Sequence, residues 1–294
     1  MPEKIWINGM LHPAGTPVIT GLNRGFLLGE GVFETMAVIN GRIWKLDRHI
    51  SRLQLGLDGL QIPLVMTPDR AQGILNDLLL ASENQNGVLR LTISSGDGGR
   101  GLVTNPGIAP TISAFIDPLP GKQRGPSNAI IATTRRNHLT AASKWKIIPY
   151  VDNMMATREA LAYGATEALM LNAADQLCCF SSGNLLLWDG DVLSCPHPAT
   201  GALPGTTLEL LLSSYASVLP IQEKVHDHKD LMIATGLYKL SSLSGILPIA
   251  SLDERHIQSE NMPLLMAIRQ IIREDVIAEC GSFASEGMLP WLHD

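Results

Sequence analysis

The sequence predicts a chain of α/β class divided into two domains, and three observations predict it. Its 294 residues are enough for two hydrophobic cores. Short apolar strands and amphipathic helices follow one another in both halves. The densest Pro/Gly run, Asp117-Pro118-Leu119-Pro120-Gly121-Lys122-Gln123-Arg124-Gly125-Pro126, falls between those halves, so residues 119–126 read as a linker between domains 1–118 and 127–294.

Composition narrows the function classes. With 45% apolar and 17% charged residues the chain reads as an ordinary soluble globular protein. A net charge of −6 and the lack of any basic run leave no electrostatic footprint for nucleic acid. Apolar runs such as Leu78–Ala81 are too short to span a bilayer, so no membrane partner is expected. The opening Met1-Pro2-Glu3-Lys4-Ile5-Trp6 lacks a signal-peptide pattern, and a cytoplasmic location is expected. Cys178, Cys179, Cys195 and Cys280 have neither disulfide-framework nor zinc spacing. Cys195-Pro196-His197 and His226-Asp227-His228 lack a third partner and read as surface loops, so no metal is expected.

In chain order, Lys4–Ile7 alternates as a strand and ends at the Asn8-Gly9 turn. Residues 23–31 carry three glycines and read as a loop. Val32–Ile39 is a strand, and Asn40-Gly41 turns into a second one at residues 42–46. Asp47 reads as the N-cap of a helix over 48–59, with Ile50, Leu53 and Leu57 on one face. Thr67-Pro68-Asp69 starts another helix, to about Glu83, and Asn86-Gly87 turns into the strand Val88–Ile93. Gly96-Asp97-Gly98-Gly99-Arg100-Gly101 is followed by no clear helix, which argues against a dinucleotide fingerprint. It reads equally as a plain hairpin loop or as a loop presenting Arg100 to an anion. Strands are expected at 111–116, 129–134, 168–172, 177–180 and 185–188, and a helix from Thr206-Thr207 to about Tyr215. Those threonines after Pro204-Gly205 suit either a phosphate cradle or a simple cap.

The central stretch is Lys144-Trp145-Lys146-Ile147-Ile148-Pro149-Tyr150-Val151-Asp152-Asn153. In a strand both lysines would share a face, Pro149 would end it, and a helix would run from about Asp152 to Gly164. A lysine beside apolar groups is a suitable amine nucleophile. A lysine whose stem lies along a sheet edge fits the same residues, and fits them better when they are taken alone.

Taken in order, these segments resemble the fold-type IV pyridoxal-phosphate enzymes, the class IV aminotransferases, which include branched-chain and D-amino-acid aminotransferases and aminodeoxychorismate lyase. The resemblance covers nearly the whole chain. It rests on Arg24-Gly25-Phe26-Leu27 through Gly29-Glu30-Gly31-Val32-Phe33-Glu34-Thr35, on His49-Ile50-Ser51-Arg52-Leu53, on Lys146 with Tyr150 and Asn153, on Leu203-Pro204-Gly205-Thr206-Thr207, and on Ser241 to Pro248.

The resemblance implies a small N-terminal α/β domain, a larger C-terminal α/β barrel-like domain, pyridoxal 5'-phosphate between them, and a homodimer acting on a small amino or oxo acid. It makes Lys146, not Lys144, the Schiff-base lysine. Arg52, Thr206, Thr207, Ser242 and Leu243 would anchor the phosphate, and Tyr150 would meet the ring hydroxyl. Arg100 would receive a substrate carboxylate, and Leu28 stands where the first loop usually has a tyrosine. Cys179 falls where the family's glutamate pairs with the ring nitrogen. Leu208, Thr235-Gly236, Leu243 and Gly245 also depart from the pattern. The implied activity is amino-group transfer between an amino acid or amine and a 2-oxo acid. The alternatives are an aminodeoxychorismate-lyase-like elimination giving 4-aminobenzoate and pyruvate, and a non-catalytic relative.

Overall fold

Burial alternates along Gly87–Ser94, and that alternation shows how the first sheet is built. The computed structural model describes residues 2–81, 85–104, 107–119, 127–215, 217–259 and 263–282. They group into two units. The first contains β1 (Lys4–Ile7), β2 (Met10–Pro13), α1 (Arg24–Leu28), β3 (Gly31–Ile39), β4 (Arg42–Ile43), α2 (Leu46–Gly59), α3 (Pro68–Leu80), β5 (Gly87–Ser94) and β6 (Thr111–Asp117). Its strands form one antiparallel sheet in the order β2-β1-β6-β5-β3-β4. Val32, Met36 and Val38 of β3 share a face with Leu89, Leu91 and Ile93 of β5. That face packs with Ile50, Leu53 and Leu57 of α2 and Ile74, Leu75 and Leu78 of α3. Thr67 caps α3 through the Arg70 N–H, with Pro68 in its first turn. Trp145–Pro149 and residues 276–282 also belong to this unit.

The second unit holds β7 (Ser127–Ile131), α4 (Val151–Ala162), β8 (Glu167–Leu171), β9 (Leu177–Phe180), β10 (Gly183–Trp188), β11 (Leu193–Pro196), α5 (Thr206–Ser214), β12 (Ile221–Lys224), α6 (His228–Ile233), β13 (Gly236–Ser241), β14 (Gly245–Leu252), β15 (Arg255–His256) and most of α7 (Pro263–Cys280). The sheet runs β12-β11-β10-β13-β14-β7-β8-β9, and β9 pairs back onto β10. Six strands therefore close into a ring, the barrel-like form expected. The pairs β14–β7 and β7–β8 are parallel. β8 and β9 are buried along their whole length, as strands covered on both faces must be. The small side chains Ala156 and Ala160 let α4 lie close to Ala168 and Met170.

Several expectations change. The glycine-bearing loop at 23–31 contains a helical turn, because Asn23 accepts from the Gly25 N–H and Gly29 closes it at φ 68°. Asp47 lies inside α2, whose start is the left-handed Lys45. Lys144 ends a 3-10 turn over Ala141–Lys144, so the two lysines do not share a strand. Cys195 and His226 are buried; the first lies in β11, and the second precedes Asp227, which caps α6. α7 has no counterpart in the sequence reading. Residues 120–126, most of the expected linker, lie outside the described residues. Among the described residues no helix is long and apolar enough to cross a membrane.

Candidate active site

In the first unit the chain seats Lys146 by its neighbours. Trp145 packs closely against α2: a Cβ at Gly59 would lie 2.1 Å from the Trp145 ring. A helical glycine costs about 1 kcal/mol against alanine, and here the close approach requires it. The Phe33 N–H donates to the Lys146 carbonyl at 3.0 Å, and the Ile148 N–H donates to Gly31 O at 2.9 Å. Lys146 Nζ then lies 4.3 Å from the Phe33 ring centroid, and the Arg90 guanidinium carbon lies 3.4 Å from the same centroid. Arg90 also donates to Thr35 and Thr92 at 3.3 Å.

On the other face of β3, Glu34 shares parity with Val32 and Met36 and is fully buried. A carboxylate there must be paired. Arg52 Nε and Nη2 reach its two oxygens at 2.7 Å, and His49 Nδ1 lies 2.7 Å from Oε2. Burial alone would raise the Glu34 pKa, but Arg52 and His49 hold it well below the carboxylate range. Burial keeps His49 on the neutral side, its pKa lowered despite Glu34, with Arg52 and Lys146 adding to the effect.

Thr92 stands opposite Phe33 in register and opens a cavity of about 550 Å³ in this unit, lined also by Ser94, Thr111, Ser113, Phe26 and Ile148. Arg100 is exposed at the apex of the glycine loop, and Leu28 is exposed at the end of α1.

The second unit gathers the remaining candidates around Asn184. β10 pairs Asn184 with Cys179 of β9 and with Leu240 of β13. Its Nδ2 donates to Leu203 O at 2.8 Å, and a Cβ at Gly205 would lie 1.8 Å from its Oδ1. Only glycine lets α5 begin so close. Thr206 and Thr207 are buried in the first turn of α5, and Gly205 supplies no side-chain cap. Thr207 Oγ1 is buried with no hydrogen-bond partner among the described residues. An uncapped helix N-terminus with an orphaned hydroxyl fits a phosphate. α5 packs on β13, whose hairpin turn carries Ser242 and Leu243, with the Ser241 and Ser244 hydroxyls 2.7 Å apart. Tyr150 precedes α4, and Asn153 Nδ2 donates to Ser181 O at 2.7 Å, holding the chain just after Cys179. Cys178 is pushed up by its hydrogen bond to Cys179 and by burial. That bond, with Arg136 nearby, draws Cys179 down against burial.

The sequence profile described as amino-transferase class IV matches residues 31–252. The chain belongs to that family. The family consists of pyridoxal-phosphate enzymes, and its fold is fold-type IV. The chain is similar to the aminodeoxychorismate lyase of Bacillus subtilis, 25% identical over 92% of this chain and 94% of that one. It is also similar to the D-alanine aminotransferase of Bacillus licheniformis, 23% identical over 94% and 98%. Among solved structures, the branched-chain amino acid aminotransferase of Escherichia coli superposes with a TM-score of 0.85 at 18% identity, over 97% of each chain.

Family membership gives the class IV motifs a common frame, but several contributors lay outside the sequence reading. In the sequence Glu34 and His49 stand only as parts of motifs, and Arg90 only as part of a strand. The signal for Glu34 was a carboxylate on the apolar parity of β3, with His49 and Arg52 three apart on a facing helix.

Proposed function

We propose that this class IV enzyme holds pyridoxal 5'-phosphate and transfers an amino group between an amino acid or amine and a 2-oxo acid. The observation that carries the reading is Lys146, anchored by backbone bonds to β3 at its own carbonyl and at Ile148, and set with its amine over Phe33. When bound, pyridoxal phosphate supplies an aldehyde for amines and a ring that accepts the electron pair of a breaking bond. Thr206, Thr207 and the Ser242–Leu243 turn would hold the phosphate; the orphaned Thr207 hydroxyl supports this. Arg52 would join them as a cation fixed in direction by Glu34. Tyr150 would donate to the ring hydroxyl, and Cys179 would lie at the ring nitrogen. Lys146 would take a proton at the substrate carbon and return it elsewhere. Arg100 would receive a carboxylate.

Elimination giving 4-aminobenzoate and pyruvate is the second reading. A thiol at Cys179, where the family usually has a glutamate, does not oppose it, and the similarity to the Bacillus subtilis lyase supports it. We also place the protein in the cytoplasm, where four buried free thiols stay reduced, and as a homodimer. Exposed Leu22, Phe26, Leu102 and Val103 on the first unit support the dimer, which light scattering would test.

The test is the visible spectrum of protein incubated with the cofactor and desalted, before and after borohydride, for wild type and Lys146→Ala. A band bleached by borohydride, with the added mass on the Lys146 peptide and absent from the variant, is expected. A wild type that takes up no cofactor would overturn the reading. A donor amino-acid panel and pyruvate release from aminodeoxychorismate then separate transfer from elimination.

A further inference from the structure

Arg24 is a buried arginine of the first unit, 2% exposed, and its side-chain donors go to Glu30 and to one glycine loop. Its Nε pairs with Glu30, and its Nη1 donates to the carbonyls of Gly99 and Gly101. Those carbonyls flank Arg100. Glu30 holds the loop at both ends: the Ser95 hydroxyl donates to Oε2 at 2.7 Å and the Thr104 hydroxyl to Oε1 at 3.3 Å. Backbone bonds add to the grip, from the Arg24 N–H to Gly96 O at 2.8 Å and from the Gly99 N–H to Leu22 O at 3.1 Å. A Cβ at Gly98 would come 2.5 Å from Arg24 Cδ, so the loop lies directly on the guanidinium stem. Arg100 itself is exposed, and among the described residues no hydrogen bond or ion pair holds its side chain. The backbone of Arg100 is fixed from both sides while its head is left to meet something else.

We infer that Arg24 and Glu30 are positioning residues, a buried clamp that fixes the glycine loop so that Arg100 is presented for a carboxylate without an ordering cost at binding. A buried arginine is tolerated only when its donors are satisfied, and here the loop carbonyls satisfy them. A glycine-dense loop left alone would sample many conformations, and each would dilute the competent one. α1 begins at Arg24, so the same clamp sets Leu28 with respect to Arg100. The inference rests on the carboxylate role proposed above for Arg100, but the clamp is testable without it.

Hydrogen exchange on the whole protein, as Arg24→Lys and Glu30→Gln, is the first arm. Lysine keeps the charge but cannot reach Glu30 and two carbonyls at once. Amides of residues 95–101 should exchange about tenfold faster or more in either variant, with β3 and α2 unchanged. Unchanged exchange in both variants would overturn the clamp.

The second arm uses turnover of a carboxylate-bearing donor. Arg24→Lys should raise KM about tenfold while kcat moves by less than about threefold. Combined with Arg100→Ala it should add nothing, because the clamp acts through Arg100. Penalties that multiply would overturn the positioning role. Should Arg100→Ala leave KM unchanged while exchange accelerates, the clamp stands and the carboxylate role of Arg100 fails.

Discussion

Glu34 accepts from Arg52 with both carboxylate oxygens, Nε to Oε1 and Nη2 to Oε2, each at 2.7 Å. The fork is thereby locked in plane on a strand whose remaining core-facing residues are apolar.

Glu34→Gln removes the charge but keeps the shape. It leaves a half-buried guanidinium without its counter-ion, which should cost about 2–4 kcal/mol. Cofactor affinity should fall as well, since the direction of Arg52 is no longer set. Urea unfolding and a cofactor titration check the two effects.

The same cluster predicts an acid limb. Glu34 has a depressed folded pKa, so its contribution is complete above the unfolded value of about 4.3 and is lost only as pH falls through the much lower folded value. His49 acts earlier. Its folded pKa is also lowered, so the unfolded chain takes up a proton near pH ~6.5 that the folded chain refuses, and stability falls as pH drops below that point. His49→Gln should flatten the decline in urea midpoint between neutral pH and about pH 5. A decline of unchanged slope would contradict this account.

Thr207→Val should move two quantities in opposite directions. In the cofactor-free protein it removes an orphaned buried hydroxyl and should stabilise by about 1–3 kcal/mol. In the presence of cofactor it removes the phosphate donor proposed above and should weaken binding about 10- to 100-fold. Melting curves with and without pyridoxal phosphate would show the reversal.

Lys239 and Glu167 form a buried pair in the barrel, 2.5 Å apart, with Ser182 3.2 Å from the same amine. Glu167→Gln should cost about 3–5 kcal/mol by stranding the ammonium, whereas Glu167→Leu with Lys239→Met should come near neutral. A double variant as unstable as the single one would show that the pair supplies more than charge balance.

Cys179→Glu places a carboxylate in a buried site. Without cofactor it should destabilise by about 2 kcal/mol or more. With cofactor, the donor half-reaction should accelerate about tenfold or more, because a carboxylate keeps the ring nitrogen protonated. Stopped-flow spectra with a donor amino acid would measure it.

The local grammar of the chain was legible where a residue dictates its own backbone. Asn40-Gly41 turns where it should, with φ of 50° and 72°, and Thr67-Pro68 starts α3. What escaped depends on distant partners. The left-handed Lys45 is held by Glu279, which accepts from both its N–H and its Nζ, and no window around Asp47 contains that information. Trp145–Pro149 reads as a strand of the second half but pairs with β3, far back in the sequence. Among the candidates, Lys146 could be named only through the family resemblance, and Thr206-Thr207 also from their place after Pro204-Gly205. Glu34, Arg90 and Arg24 could not, because their meaning lies in what they grip.

The path of the chain has a consequence for biosynthesis. The first unit is completed only by residues 145–149 and by the turn of α7 that carries Glu279 and Cys280, whose groups hold Lys45 and Asn40. On a ribosome adding about 5–20 residues per second, the first unit waits for α7 to emerge before its own contacts are whole. A message truncated after residue 275 would therefore damage the part of the protein made first.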